Sequence, residues 1–240
     1  MPVKEFILDD SFLVRTSGTS DGTQDKFCKD GFWFKVDRYG GEGLAETAAS
    51  IILQYGGLSD KDFVIYEPCL INGKEGCCCK DFLNKDEDFI TIYRLYKNIN
   101  GRDLATVCSR MDYDDAIEYV LSFMKLHTGL DLHEYLANTF ELDRLILNED
   151  RHFNNLGVIY SGTDFRPAPI FDNGKSFFIG HKNKREAYAK AFSPSFETNA
   201  RYLKKYCTLN FNGECIQKIK EISGDYYADI LTERANFGKI

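Results

Sequence analysis

Residues 142–157 read LDRLILNEDRHFNNLG, and residues 169–174 read PIFDNG. Apolar residues before and within the first stretch recur at helical spacing and predict an amphipathic helix: Leu132, Tyr135, Leu136, Phe140 and Ile146. The polar run 148–152 ends that pattern. Apolar runs over 156–160 and 168–171, separated by turn residues, predict a hairpin. The predicted order is therefore helix, polar loop, hairpin and then Asp172-Asn173-Gly174.

Three polar residues of this stretch have a characteristic spacing. Asp150 and Asn155 lie five residues apart in the polar loop, and Asp172 follows the hairpin. This layout resembles the catalytic segment of the protein-kinase fold, where a base Asp, a metal-binding Asn and a metal-binding Asp follow in this order. The usual His-Arg-Asp order is absent, and the loop reads N-x-D-R-H-x-x-N over residues 148–155. This form resembles the HipA-like serine/threonine kinases of bacteria, including the shorter CtkA-like members.

The resemblance implies an enzyme that uses ATP and Mg²⁺, with Asp150 as the base and with Asn155 and Asp172 as metal ligands. Phosphoryl transfer requires mainly positioning and neutralisation of phosphate charge. A carboxylate can orient an alcohol and accept its proton, and oxygen ligands suit Mg²⁺. Asn and Asp also form ordinary turns. The two segments together, after an apolar helix, favour catalysis, and His152 is expected to support the loop.

The glycine-rich segment 16–24 (TSGTSDGTQ) predicts a loop between strands. Its glycine spacing matches neither the Walker A pattern nor the G-x-G-x-x-G pattern of phosphate-binding loops, so a plain surface turn is the alternative. Residues 22–27 are similar to the Gly-x-Gln-x-Lys element of HipA-like kinases, which implies a nucleotide-binding loop made of Ser17, Gly18, Thr19, Ser20, Gly22, Thr23, Gln24 and Lys26. The resemblance also implies autophosphorylation in this loop, with Ser17, Thr19, Ser20 and Thr23 as candidate acceptors.

Lys35 lies in the predicted strand 32–36, and Glu46 lies on the predicted helix 43–54. Both side chains could simply be exposed. The kinase resemblance instead implies that Lys35 binds the α- and β-phosphates and that Glu46 is its catalytic partner.

Residues 63–66 and 71–79 predict strands, with a hairpin turn at Asn72-Gly73. Residues 89–96 (FITIYRLY) predict the last strand of a small lobe. The resemblance implies that the backbone of Tyr93, Arg94 and Tyr96 faces the adenine. Further helices are predicted over 113–126, 186–192, 196–206, 214–223 and 226–237.

The predicted fold class is α+β, a two-lobed kinase-like fold. Residues 1–97 form an N-lobe with a small antiparallel sheet and one helix, and residues 98–240 form a mostly helical C-lobe. Because the glycine loop begins near residue 16, the extra N-terminal subdomain of HipA is expected to be missing or encoded elsewhere.

The composition excludes several classes of protein. The net charge of -7 argues against a nucleic-acid binder. No apolar run approaches the ~20 residues that span a membrane, and no signal peptide is visible, so a cytoplasmic location is expected, with a secreted effector as the alternative. Among the eight cysteines no C-x-x-C spacing occurs, which favours reduced thiols over a zinc site.

The predicted function is an ATP- and Mg²⁺-dependent serine/threonine protein kinase. The alternatives are a small-molecule or lipid phosphotransferase of the same fold and a nucleotide-binding pseudokinase. The resemblance implies a protein substrate, such as a translation factor or an aminoacyl-tRNA synthetase, and an antitoxin protein as a possible partner. No direct contact with nucleic acid or membrane is expected.

Overall fold

The computed structural model describes residues 3–14, 24–180 and 187–236. Within these ranges the chain forms eight β-strands and eight α-helices, with the strands in one five-stranded and one three-stranded sheet. The predicted α+β class is confirmed.

The five-stranded sheet is built from the first half of the chain. Its strands are β1 Lys4–Phe6, β2 Lys26–Lys29, β3 Phe32–Val36, β4 Tyr66–Ile71 and β5 Lys74–Lys80. Their order is β1-β4-β5-β3-β2; β1 is parallel to β4, and the other neighbours are antiparallel. The predicted turn at Asn72-Gly73 joins β4 to β5, and both residues have positive φ, 51° and 76°, as this hairpin turn requires.

Helix α1, Glu42–Tyr55, packs against β4 and β5 and confirms the helix predicted over 43–54. Two glycines allow a close approach at its first turn. A Cβ on Gly43 would lie 2.6 Å from the carbonyl of Gly76 in β5, and a Cβ on Gly76 would lie 2.2 Å from the carbonyl of Lys35 in β3. The helix start and the strand that carries Lys35 therefore lie close together only because both positions lack side chains.

The prediction of a strand over residues 89–96 was wrong. Strand β6, Asp88–Thr91, ends after three of these residues, and Ile92–Asn100 forms helix α2, whose N-cap is the hydroxyl of Thr91. β6 pairs with β7, Gly157–Tyr160, which pairs in turn with β8, Phe165–Pro167. The alternation of large apolar residues predicted a strand, but Ile92 and Tyr96 are one helical turn apart and both are buried in the second half of the molecule.

The remaining helices are α3 Leu104–Cys108, α4 Tyr113–Thr128, α5 His133–Ile146, α6 Phe196–Tyr202, α7 Gly213–Ser223 and α8 Asp225–Asn236. They confirm the helices predicted over 113–126, 196–206, 214–223 and 226–237, with α6 followed by a short 3₁₀ turn. The helix predicted over 186–192 was wrong for its described part, since residues 187–192 contain no helix. The second strand of the hairpin lies at 165–167 rather than 168–171.

Helices α7 and α8 connect the two halves of the molecule. Helix α7 packs against α1, and α8 packs against α5. One buried cluster contains Ile52 of α1, Leu145 of α5, and Ile219, Tyr227 and Leu231 of α7 and α8. The hydroxyl of Tyr227 donates to the carbonyl of Gly41, just before α1, at 3.0 Å. The end of the chain therefore stabilises the position of α1.

None of the eight cysteines forms a disulfide, and Cys77, Cys78 and Cys79 lie in β5. No helix among the described residues is long and apolar enough to cross a membrane.

Candidate active site

Lys35 lies at the centre of the candidate site. Its side chain is 9% exposed, and its Nζ donates to Oε1 of Glu46 at 2.6 Å and to Oδ1 of Asp172 at 2.8 Å. It also lies 4.9 Å from the ring centre of Tyr66, a cation–π distance. The buried ammonium therefore connects β3, α1 and the segment that follows the second sheet.

The charges in this group stabilise one another. Burial by itself would lower the pKa of Lys35, but the carboxylates of Asp172 and Glu46 outweigh burial and raise it well above its ordinary value. Burial would raise the pKa of Asp172, but the charge of Lys35 outweighs burial and holds it below its ordinary value. Both groups are therefore charged at neutral pH.

The backbone at Asp172 and Asn173 is held from two sides. Asp172 has φ of 61°, a left-handed conformation that Asp tolerates better than most residues. The N–H of Asn173 donates to Oε2 of Glu46 at 2.7 Å, so Glu46 bonds both to Lys35 and to the chain beside Asp172. The side chain of Asn173 is buried and accepts from Arg151.

Arg151 connects the loop after α5 to this segment. Helix α5 ends at Ile146, its C-cap Leu147 has φ of 57°, and the chain turns into the loop 148–155. The guanidinium of Arg151 is 2% exposed, donates twice to Asp143 of α5, and donates to the carbonyl of Phe171 at 2.6 Å. One buried cation thus holds the loop against the residue that precedes Asp172.

Asp150 and Asn155 lie in that loop. Nδ2 of Asn155 donates to the carbonyl of Asp150 at 2.9 Å, which leaves Oδ1 of Asn155 as the acceptor of the amide. The Asp150 carboxylate is 30% exposed and accepts from Nζ of Lys190 at 2.5 Å. The loop therefore combines one accessible carboxylate with one oriented amide oxygen.

Asp172 and Asn155 offer a carboxylate and an amide oxygen, and oxygen ligands suit Mg²⁺ better than a transition metal. The described residues contain no cluster of three or more His, Cys, Asp or Glu side chains that could hold a metal. One carboxylate and one amide oxygen are few ligands, which suits an ion that keeps several waters and binds phosphates.

Solved structures of other proteins share the fold of this chain. No protein-family model matches the chain, and no curated protein sequence matches it. The crystal structure of the Helicobacter pylori proinflammatory kinase CtkA matches with a TM-score of 0.68 and 15% identity, over 98% of this chain and 95% of that one. This chain has the fold of the HipA-like kinases. HipA from Shewanella oneidensis, solved with HipB and its operator DNA, matches with a TM-score of 0.55 and 10% identity, over 95% of this chain and 66% of that one.

Within this HipA-like fold, the predicted role of residues 93–96 in adenine binding does not fit. Tyr93, Arg94 and Tyr96 lie in α2. The N–H of Tyr93 donates to the carbonyl of Phe153 at 3.2 Å, and the N–H of Arg94 donates to the hydroxyl of Thr91 at 3.0 Å. Tyr96 is 2% exposed, and its hydroxyl lies 2.8 Å from that of Tyr119 in the core. A helix therefore replaces the extended backbone on which the prediction of adenine contacts by these residues rested.

The predicted glycine loop is described only in part. Ser17, Gly18, Thr19, Ser20, Gly22 and Thr23 lie outside the described residues. Gln24 precedes β2, and Lys26 lies in β2 directly opposite Lys35. Cross-strand partners share one face of a sheet, and the positive charge of Lys26 also helps to lower the pKa of Asp172. His152 lies in the loop 148–155, and its Nδ1 is buried without a hydrogen-bond partner among the described residues.

A cleft of about 840 Å³ lies apart from these residues, between the connection after β5, the start of α5 and the end of β8. Lys35, Glu46, Asp150, Asn155 and Asp172 do not line it. We therefore place the candidate site by its chemistry rather than by cavity volume.

Sequence reasoning missed the residues that hold the site together. Asp143 and Asn173 were read only as helix and motif residues, and Lys190 was read as part of a helix. Arg151 and Asn173 stood within the motifs. Their burial depends on a contact between two segments, since the two residues are 22 positions apart in the sequence. No local pattern indicates such contacts.

Proposed function

We propose that this protein is an ATP- and Mg²⁺-dependent kinase that phosphorylates serine or threonine residues of a protein. The observation that carries the proposal is the buried Lys35, bonded at once to Glu46 and Asp172. A charged lysine buried between two carboxylates has little value for stability alone, since such groups lose their hydration. The pairing of a strand lysine with a helix glutamate supports the role of the lysine that binds nucleotide phosphates in kinases.

The pairing of Lys26 with Lys35 supports a polyphosphate ligand. Like charges directly opposite on neighbouring strands repel each other. Asp172 and Glu46 offset part of this repulsion, and an anion between the strands and the catalytic loop would offset the rest. The α-, β- and γ-phosphates of ATP supply that charge, so we assign phosphate binding to both lysines.

Asp172 and Asn155 would hold Mg²⁺. When bound, Mg²⁺ supplies positive charge that bridges and neutralises the phosphates. Asp172 suits this role because Lys35 keeps its carboxylate ionised. Asn155 suits it because its amide nitrogen is committed to the carbonyl of Asp150, which orients the amide oxygen.

Asp150 is the proposed base. Its carboxylate is accessible, and its backbone is held by Asn148 at 3.0 Å and by Asn155 at 2.9 Å. It would orient the hydroxyl of the acceptor toward the γ-phosphorus and accept its proton as the new P–O bond forms.

We place the adenine against the connection between β5 and β6, residues 81–87. This connection joins the two sheets, as the hinge of a kinase does. Phe82 packs against Phe171, next to Asp172, with ring centres 5.7 Å apart. We accordingly propose that the lobes divide in this connection rather than at residues 97 and 98, because β6 and α2 pack with the second half of the chain.

The resemblance also predicts a partner and a modification. An antitoxin partner, an aminoacyl-tRNA synthetase substrate and autophosphorylation within residues 17–23 stay predictions. Mass spectrometry after incubation with ATP tests the last of these, and finding no phosphate on Ser17, Thr19, Ser20 or Thr23 would contradict it.

The experiment that tests the kinase proposal is transfer of labelled phosphate from ATP to proteins of a cell lysate. We expect a labelled band with the wild type and none with Asp150→Asn. Asp164→Asn is the matched control, since Asp164 lies in the exposed turn between β7 and β8. Equal labelling by wild type and Asp150→Asn would refute the assignment. Labelling of small hydroxylated compounds only would indicate the small-molecule alternative.

A further inference from the structure

Lys190 occupies a position that the proposed reaction does not yet explain. Its ammonium lies 2.5 Å from Oδ1 of Asp150, the proposed base. Lys190 belongs to the irregular segment before α6 and not to the catalytic loop. The contact is either an incidental surface ion pair or part of the reaction.

The backbone around Lys190 is fixed on both sides. Ala189 donates to the carbonyl of Pro194 at 3.0 Å, and the buried Asn199 of α6 donates to the carbonyl of Ala191 at 2.9 Å. The ring of Phe192 packs edge-to-face against Phe153 of the catalytic loop, with ring centres 5.2 Å apart. The N–H of Tyr188 donates to Glu149, the residue before Asp150. The segment is therefore attached to the catalytic loop at several points, and these place the lysine beside the base.

Among the described residues, Lys190 is the cation whose ion pair with the Asp150 carboxylate is observed. Arg151 is the only lysine or arginine in the described loop 148–155. Its guanidinium is buried and bonded to Asp143, Asn173 and the carbonyl of Phe171. Lys35 is bonded to Glu46 and Asp172. The ammonium of Lys190 is the one beside the carboxylate where the acceptor alcohol would meet the γ-phosphate.

We propose that Lys190 is a catalytic residue that binds the phosphoryl group in transit; this rests on the proposed kinase function. In the transfer, the alcohol oxygen forms a bond to the γ-phosphorus, and the bond from that phosphorus to the β–γ bridging oxygen breaks. The electron pair of the broken bond leaves with ADP, and the proton of the alcohol passes to Asp150. Lys190 keeps its own proton and donates hydrogen bonds to the oxygens of the phosphoryl group, whose charge it neutralises.

Stability does not account for the contact. The side chains of Lys190 and Asp150 are 49% and 30% exposed, and exposed ion pairs contribute little to folding. Removing the ammonium should therefore alter the reaction and leave the fold intact. Lysine suits the role because it is a compact charge on a flexible stem that can move from the carboxylate to a phosphate oxygen.

The test compares Lys190→Met and Lys190→Arg with the wild type in steady-state transfer from Mg·ATP, with water and the labelled lysate protein as acceptors. We expect Lys190→Met to lower kcat by about 10²-fold, the effect of removing one group that stabilises transition-state charge. The KM for ATP and the melting temperature should change little, and Lys190→Arg should restore part of kcat. The matched control is Lys220→Met, which removes another exposed, ion-paired lysine, 2.7 Å from Asp225.

Each outcome decides the inference. Wild-type kcat in Lys190→Met, with Asp150→Asn inactive, would overturn the role of Lys190 and leave the kinase proposal standing. An increased kcat would mean that Lys190 blocks the base, which also overturns the role. A lower melting temperature in both Lys190 variants would indicate a structural role instead. Absence of transfer by the wild type to any acceptor would refute the kinase proposal itself.

Discussion

At the scale of single residues, this protein places charges where burial makes them costly. The side chains of Lys35 and Arg151 are 9% and 2% exposed, and each bonds to a carboxylate that is also buried. Burial raises the pKa of Asp143 even though the Arg151 guanidinium acts in the opposite direction. Such pairs contribute little net stability, but losing one partner leaves an unpaired charge in the interior.

Arg151→Met should therefore destabilise the protein by about 3–5 kcal/mol, since it leaves Asp143 buried and unpaired. Urea unfolding measures the change. Lys4→Met is the control, because Lys4 and Glu67 form an exposed pair and its loss should cost about 0–1 kcal/mol. Similar losses for both variants would contradict the structural role given to Arg151.

Glu87 provides a test of pH dependence. The hydrogen bonds from Arg166 lower the pKa of Glu87 to about 2. A carboxyl whose pKa is depressed in the folded state stabilises the fold above its unfolded pKa of about 4.3 and loses that contribution as the pH falls through its folded pKa. The stability difference between wild type and Glu87→Gln should thus shrink between about pH 5 and pH 2. Arg166→Gln should show the same trend, and a constant difference would exclude the interaction.

At the scale of elements, helix α1 decides whether Glu46 reaches Lys35. Its first turn lies against β5 because Gly43 and Gly76 have no side chains. Its start is also bonded to Asp37, whose two carboxylate oxygens accept the N–H groups of Gly41 and Gly43 at 2.7 and 2.8 Å. These contacts position Glu46 one turn further along the helix.

Gly43→Ala should displace α1 from β5, because the new Cβ would lie 2.6 Å from backbone atoms of Gly76. Separating Glu46 from Lys35 should lower transfer from ATP at least about tenfold, since small misplacements of positioning groups cost up to ~10² in rate. Gly213→Ala at the start of α7 is the control, because a Cβ there meets no atom within 4 Å. Full activity of Gly43→Ala would show that α1 can shift without losing the ion pair.

At the scale of the whole molecule, the proposed nucleotide site draws residues from the five-stranded sheet, from α1 and from the segments before and after the β7–β8 hairpin. β3 supplies Lys35, the chain after β8 supplies Asp172, and the loop after α5 supplies Asp150 and Asn155. A ligand that contacts all of these favours the folded state over the unfolded one, because only folding brings the residues together.

Mg·ATP at about 100 times its Kd should stabilise the protein by about 2.7 kcal/mol. Thermal unfolding should show this as an increase in the melting temperature. Chelation of Mg²⁺ should reduce the shift, and Lys35→Met should abolish it relative to the melting temperature of that variant without nucleotide. An unchanged melting temperature for the wild type would contradict nucleotide binding at this site.

The local elements and the motif residues could be predicted from the amino-acid sequence alone. Helical periodicity predicted α1, α4 and α5, and Asn72-Gly73 predicted the β4–β5 turn, because these signals act between neighbours in the chain. The resemblance of the segment around Asp150, Asn155 and Asp172 to kinases implied a kinase-like fold, which the structural comparison confirms. Periodicity failed at residues 92–96, where apolar residues suited either a strand or a helix.

The contacts between these residues could be read only from the tertiary structure. It placed Ile92 and Tyr96 in a buried helix, joined Arg151 to Asn173, and brought Lys190 to Asp150. The physical reason is that burial and ion pairing depend on the surroundings that distant segments create. A local pattern shows only which residues are present. The free energy of burying a charge depends on the partner that folding brings beside it.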